Sequence, residues 1–167
     1  MLIQEKLGNI ESFIIGDRVI DPVELEWYET GKRILRKYTR AGKEVVLKFL
    51  REGPALAQGD VLYEDGDRLI MVDILPCAVI VIRPASLYEV ASVCYEIGNK
   101  HLPLFFEKEE LLTPYEAPLF RSLIAGGFST RQEERRLLYP LKTTVSAHMH
   151  SGSSLFSKIL QLTNPQL

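Results

Sequence analysis

The chain has 167 residues, 20 of them lysine or arginine and 22 aspartate or glutamate, for a formal net charge of −2. With 46% hydrophobic and 25% charged residues it has the composition of a globular protein that can bury a core. That balance excludes wholesale disorder and a surface coated for nucleic acid or anionic membrane. The longest apolar stretch, Ile74 to Ile82, contains Pro76 and falls far short of the roughly 20 residues that span a bilayer. Glu5 and Lys6 stand where a signal peptide needs an apolar run. A cytoplasmic protein with no membrane and no nucleic-acid partner is therefore expected. Cys77 and Cys94 have no CxxC partner and read as buried thiols.

The first half reads as strands. Val23 to Thr30 alternates apolar and charged residues, and Arg33 to Thr39 and Glu44 to Leu50 flank a turn at residues 40–43, which predicts a hairpin. A second hairpin is expected from Val61–Glu64 and Leu69–Asp73, where Asp65-Gly66 suits the positive φ of a tight turn. Near residue 74 the pattern changes. Ala78 to Arg83 predicts a buried strand, and Ser86 with Glu89 predicts a capping box opening a helix. Leu87, Val90, Ala91, Cys94 and Ile97 fall on one face of that helix, with Gly98 as its left-handed stop. Leu102–Phe106 and Glu109–Thr113 are expected strands, Pro114 to Ala125 a second helix closed by Gly126-Gly127, and Phe128–Leu138 a last strand. The fold class is α+β: a small β domain over residues 1–74, a ferredoxin-like βαββαβ domain over 75–140, and a partly mobile tail from 141 to 167. That tail holds an amphipathic segment, Leu155–Leu162, too short to be a stable helix alone.

The motifs GxSxG, HExxH, GxxxxGK[ST] and GxGxxG are absent, so nothing nominates an enzyme. Three histidines remain: His101 after the helix stop, and His148 and His150 in the tail. One imidazole cannot hold a metal, and His101 alone reads equally as a capping or surface residue. In a two-fold dimer, however, a residue near the axis meets its own copy, and one donor per chain becomes two. Neutral imidazole binds nickel, copper or zinc, and His148 or His150 could supply further donors. The segment 31–52 carries eight basic residues against two acidic ones. Such a stripe serves as a protein-docking face, as a phosphate-binding face, or as the solvated side of a hairpin. Trp27 and Tyr28 suit a peptide-binding surface, although alternation along a strand would bury one ring and expose the other.

The stretch Tyr95-Glu96-Ile97-Gly98-Asn99-Lys100-His101-Leu102-Pro103-Leu104 resembles the GN(R/K)H segment of the UreE urease accessory proteins, which are nickel metallochaperones. Leu25-Glu26-Trp27-Tyr28-Glu29-Thr30 and Gln58-Gly59-Asp60-Val61-Leu62 support the likeness, which covers residues 1 to 150. The resemblance implies a peptide-binding-like first domain, a ferredoxin-like metal-binding domain, and a homodimer carrying nickel at His101. It implies as partners the urease accessory GTPase and the urease apoenzyme with its accessory complex. Lys100 stands where Arg is commoner, and the tail offers only His148 and His150 where many relatives are histidine-rich. Delivery rather than storage is the function expected, with zinc, copper or cobalt also able to bind. The alternative is a metal-independent interaction module or scaffold that uses the basic 31–51 hairpin.

Overall fold

Residues 1–49 and 56–141 are described by the structure, a computed structural model. In the first half, apolar side chains at every second position build two small sheets around one core. Their strands are β1 (Leu2–Ile3), β2 (Gly8–Asn9), β3 (Val19–Leu25), β4 (Ile34–Tyr38), β5 (Glu44–Lys48), β6 (Asp60–Glu64) and β7 (Arg68–Ile74). One sheet has the order β1-β5-β4 and the other β2-β6-β7-β3. Val23 and Leu25 of β3, Val45 and Leu47 of β5, and Ile70 and Val72 of β7 fill the space between them. Both expected hairpins form, β4 with β5 and β6 with β7. Two parallel pairings join them, β1 with β5 and β3 with β7.

The expected strand Val23–Thr30 stops at Leu25, and Trp27–Glu29 forms a single 3-10 turn. There the Glu29 carboxylate accepts the Glu26 N–H at 3.0 Å, and the Thr30 hydroxyl donates to the Trp27 carbonyl at 2.8 Å. These local bonds compete successfully with the ladder. The turn at Asp65-Gly66 also differs from expectation, because Gly66 is not among the glycines with positive φ. Instead the Asp65 carboxylate accepts the N–H groups of Asp67 and Arg68 at 2.9 and 2.8 Å, an Asx turn. Gly42, at φ +84°, is the glycine that a hairpin turn does require.

The second half runs β8 (Cys77–Ile82), α1 (Leu87–Asn99), β9 (Phe105–Glu107), β10 (Glu110–Pro114), α2 (Ala117–Ala125) and β11 (Thr130–Arg135). Its sheet order is β11-β8-β10-β9, with every pairing antiparallel. Pro114 ends a strand rather than opening a helix, and α2 starts three residues later with Pro118 in its first turn, where a missing N–H costs nothing. Ile80 and Ile82 face both helices, packing with Val93, Ile97, Leu119 and Leu123. Val79 and Val81 face the other way, toward Leu112, Phe105 and Leu137.

Trp27 from the first half covers part of that second face, edge-on to Phe105 with ring centres 5.8 Å apart. Tyr28 stays exposed while Trp27 is half-buried. Near the end of β7, Asp73 collects Arg40 at 3.4 Å, Gln58 at 3.0 Å and Arg136 at 3.4 Å. The Arg136 Nε also donates to the Ile74 carbonyl at 2.7 Å. Gln58 is thus a bracket at the junction, accepting the Ile74 N–H at 2.7 Å through its own oxygen.

Candidate functional site

Helix α1 leads to His101, the candidate donor among the described residues. Its start is fixed by Ser86, whose hydroxyl accepts the Glu89 N–H at 3.2 Å, while the Glu89 carboxylate reaches the N–H of Ala85 at 2.9 Å. Val93 and Ile97 are its buried residues. Leu87 and Ala91, expected on the same inward face, are exposed instead. With Tyr88 and Tyr95 they form a second apolar stripe; Leu87, Tyr88 and Tyr95 are 84%, 80% and 69% exposed. Alanine and aromatic residues spaced three to four apart were the signal for this stripe, but spacing alone did not show which of two apolar faces meets the sheet.

The helix continues past Gly98 to Asn99. Its last carbonyls are closed by a Schellman arrangement: the His101 N–H donates to Gly98 at 2.9 Å and the Leu102 N–H to Ile97 at 3.3 Å. Ile97 and Leu102 also share the core on the helical side of the sheet. In this motif the left-handed position belongs to His101, at φ +54°, and not to Gly98. Glycine is the ordinary occupant there, and a side chain with a Cβ costs about 1 kcal/mol. The backbone therefore holds an exposed imidazole at a strained position on a rigid helix end.

The chain returns to the same place from the other end. Pro140 bridges Phe105, the Leu141 N–H donates to the Leu104 carbonyl at 2.7 Å, and the Phe106 N–H donates to Tyr139 at 3.1 Å. Residues 139–141 thus line the edge of β9 antiparallel to it. Phe106, Tyr139 and Leu141 are exposed apolar side chains beside this path. His148 and His150 lie outside the described residues, and so does the amphipathic segment 155–162. Among the described residues no three His, Cys, Asp or Glu side chains gather as one metal-ligand set.

Elsewhere many charges are paired. Glu29 takes Lys37 at 2.5 Å and Lys32 at 3.7 Å, Arg36 meets Glu44 at 3.3 Å, and Arg40 meets Glu24 at 2.7 Å. The basic 31–51 segment is therefore partly neutralised. On the sheet face away from the helices, Arg131 and Arg135 interlock with Glu107, Glu110 and Glu133. The two arginines hold the Glu133 carboxyl below its usual range. Cys77 and Cys94 are half-buried, and burial pushes both thiols up, which disfavours the thiolate that binds metal. No helix among the described residues is long and apolar enough to cross a membrane.

Comparison with known proteins gives a consistent result. Residues 3–75 match the family described as UreE urease accessory protein, N-terminal domain, and residues 77–154 match its C-terminal domain. A protein of Flavobacterium johnsoniae named urease accessory protein UreE is 48% identical over 163 residues, which is 97% of this chain and 99% of that one. One of the same name from Acetivibrio thermocellus is 39% identical over 92% of this chain and 99% of its own length. Another from Helicobacter pylori is 38% identical over 87% and 88%. The chain belongs to the UreE urease accessory protein family.

Proposed function

We propose that this chain binds nickel between two copies of itself and hands the ion on for assembly of the urease metal centre. The observation that carries the reading is the placement of His101. It sits in a strained left-handed position at the end of the exposed stripe Leu87, Tyr88, Ala91 and Tyr95. A second copy packed on that stripe would cover the apolar surface and bring two imidazoles together. The run of 139–141 along β9 supports a part for His148 or His150. Leu104 lies only about 10 Å along the chain from His101, and the seven residues from 142 to 148 span up to about 23 Å when extended. Two fixed imidazoles with tail donors that come and go suit a carrier, because open coordination positions allow ligand exchange. Zinc, copper or cobalt would compete for the same nitrogens by the general affinity order.

On this reading residues 1–74 are a peptide-binding-like β domain, 75–140 a ferredoxin-like metal-binding and dimerisation domain, and 141–167 a tail with ligands. The order β11-β8-β10-β9 with both helices on one face supports the ferredoxin-like assignment. The recipients are the urease accessory GTPase and the urease apoenzyme with its accessory complex, in the cytoplasm. Titrating nickel into wild type and His101→Ala by calorimetry, with sedimentation alongside, tests the reading. The variant should lose more than the roughly 10–100-fold that outer-shell changes cost. Unchanged affinity and stoichiometry, or a wild type that stays a single chain when saturated with nickel, would refute it.

A further inference from the structure

We propose that the outer edge of β4 is a docking strand for an extended acidic segment of a partner protein, read through Ile34, Arg36 and Tyr38. The bonds between β4 and β5 fix the geometry. The Phe49 N–H donates to the Arg33 carbonyl and the Thr39 N–H to the Lys43 carbonyl, both within 2.9 Å. In an antiparallel ladder alternate residues share their bonds, so residues 33, 35, 37 and 39 face β5. The backbone groups of Ile34, Arg36 and Tyr38 therefore point to the opposite edge. There, among the described residues, β3 takes the Tyr38 end through the Val23–Thr39 bridge and the Arg40 N–H to the Pro22 carbonyl, which leaves Ile34 and Arg36 as the open backbone positions. Among the described residues no strand pairs with β4 beside Ile34 and Arg36.

The side chains of the same three residues lie on the outer face, where Ile34 and Tyr38 are 65% and 62% exposed. An incoming strand would meet an apolar, a basic and an apolar position at every second residue. Lys48, opposite Ile34 in the register, extends the basic character, and the nearest outer-face carboxylate is Glu44, at 3.3 Å from Arg36. A basic edge repels a second copy of itself while attracting a strand of opposite charge. The complementary segment is apolar-x-acidic-x-apolar, held by backbone bonds for affinity and by Arg36 for selection. This surface is independent of the metal site, so it stands or falls apart from nickel binding.

The test uses the full chain and a fluorescein-labelled peptide, Thr-Val-Thr-Glu-Thr-Val-Thr, with a Lys-for-Glu version and one N-methylated at alternate backbone nitrogens. Anisotropy should show the acidic peptide binding at least tenfold more tightly than either control. Amide exchange at Ile34 and Arg36 should slow at saturation, with chelator present or absent. Arg36→Glu should reverse the preference between the acidic and lysine peptides, with an unaltered melting temperature showing that the fold is kept. Equal binding of the N-methylated peptide, unchanged exchange at Ile34 and Arg36, or no binding at millimolar peptide would overturn the proposal.

Discussion

His101 separates two demands that one residue rarely meets together. The helix end wants a residue without a Cβ at φ +54°, whereas a nitrogen donor needs a side chain. His101→Gly should therefore keep or raise stability, by up to about 1 kcal/mol in chemical denaturation, while nickel binding is lost. A variant that binds nickel normally, or that unfolds much more easily, would show that the strain serves something else. Because protons compete with a metal ion for imidazole nitrogens, nickel affinity should also be weaker at pH 5.5 than at pH 7.5, which calorimetry can read. His101 was legible in the sequence as a candidate, by its place after a helix stop. Its left-handed backbone was not, since Gly98 is the stronger local signal and lost that role only because the chain needs Leu102 beside Ile97 in the core.

Among the elements, the β9–β10 hairpin makes its turn with Lys108 and Glu109, both at positive φ, the signature of a type I′ connection that favours Asn-Gly. The double change Lys108→Asn, Glu109→Gly should stabilise the protein by about 1–2 kcal/mol, measured as a shift in the denaturation midpoint. The 3-10 turn at Trp27–Glu29 makes a pH-dependent contribution. Burial pushes the Glu29 carboxyl up, but its bonds to Lys37 and to the Glu26 backbone, with Lys32 nearby, outweigh this and hold it below its ordinary value. A carboxylate depressed in the folded state stabilises above its unfolded pKa and loses that contribution as pH falls through the folded one. Stability should accordingly decline below about pH 4.3, and Glu29→Gln should flatten that decline in thermal melts across pH 3 to 6. Strands and helices were mostly visible in the periodicity. The single-strand reading of Val23–Thr30 failed because Glu26 and Glu29 bond locally, which alternation does not report.

At the scale of the whole molecule, an aromatic contact and a carboxylate are among the links between the two halves. Trp27, the single tryptophan, packs on Phe105, and β9 carries residues 139–141 along its outer edge. Trp27→Ala should cost about 3 kcal/mol, the lower end of the range for removing such a ring, because Trp27 is only half-buried. It should also speed amide exchange at Phe106 and Leu141, the two positions whose N–H groups tie 139–141 to β9. Slow exchange at those amides in a destabilised variant would mean that the junction and the returning strand are independent.

Alternation and capping residues determined the two hairpins of the first half, the strand and helix order of the second, and His101 as the candidate donor, because each is written within a few neighbouring residues. The tertiary structure decided the two parallel pairings, the choice between two apolar faces of α1, the seat of Trp27, and the return of residues 139–141 along β9. These depend on surfaces far apart in the chain that become neighbours only when apolar area is buried, and no local pattern encodes which distant partner will bury it.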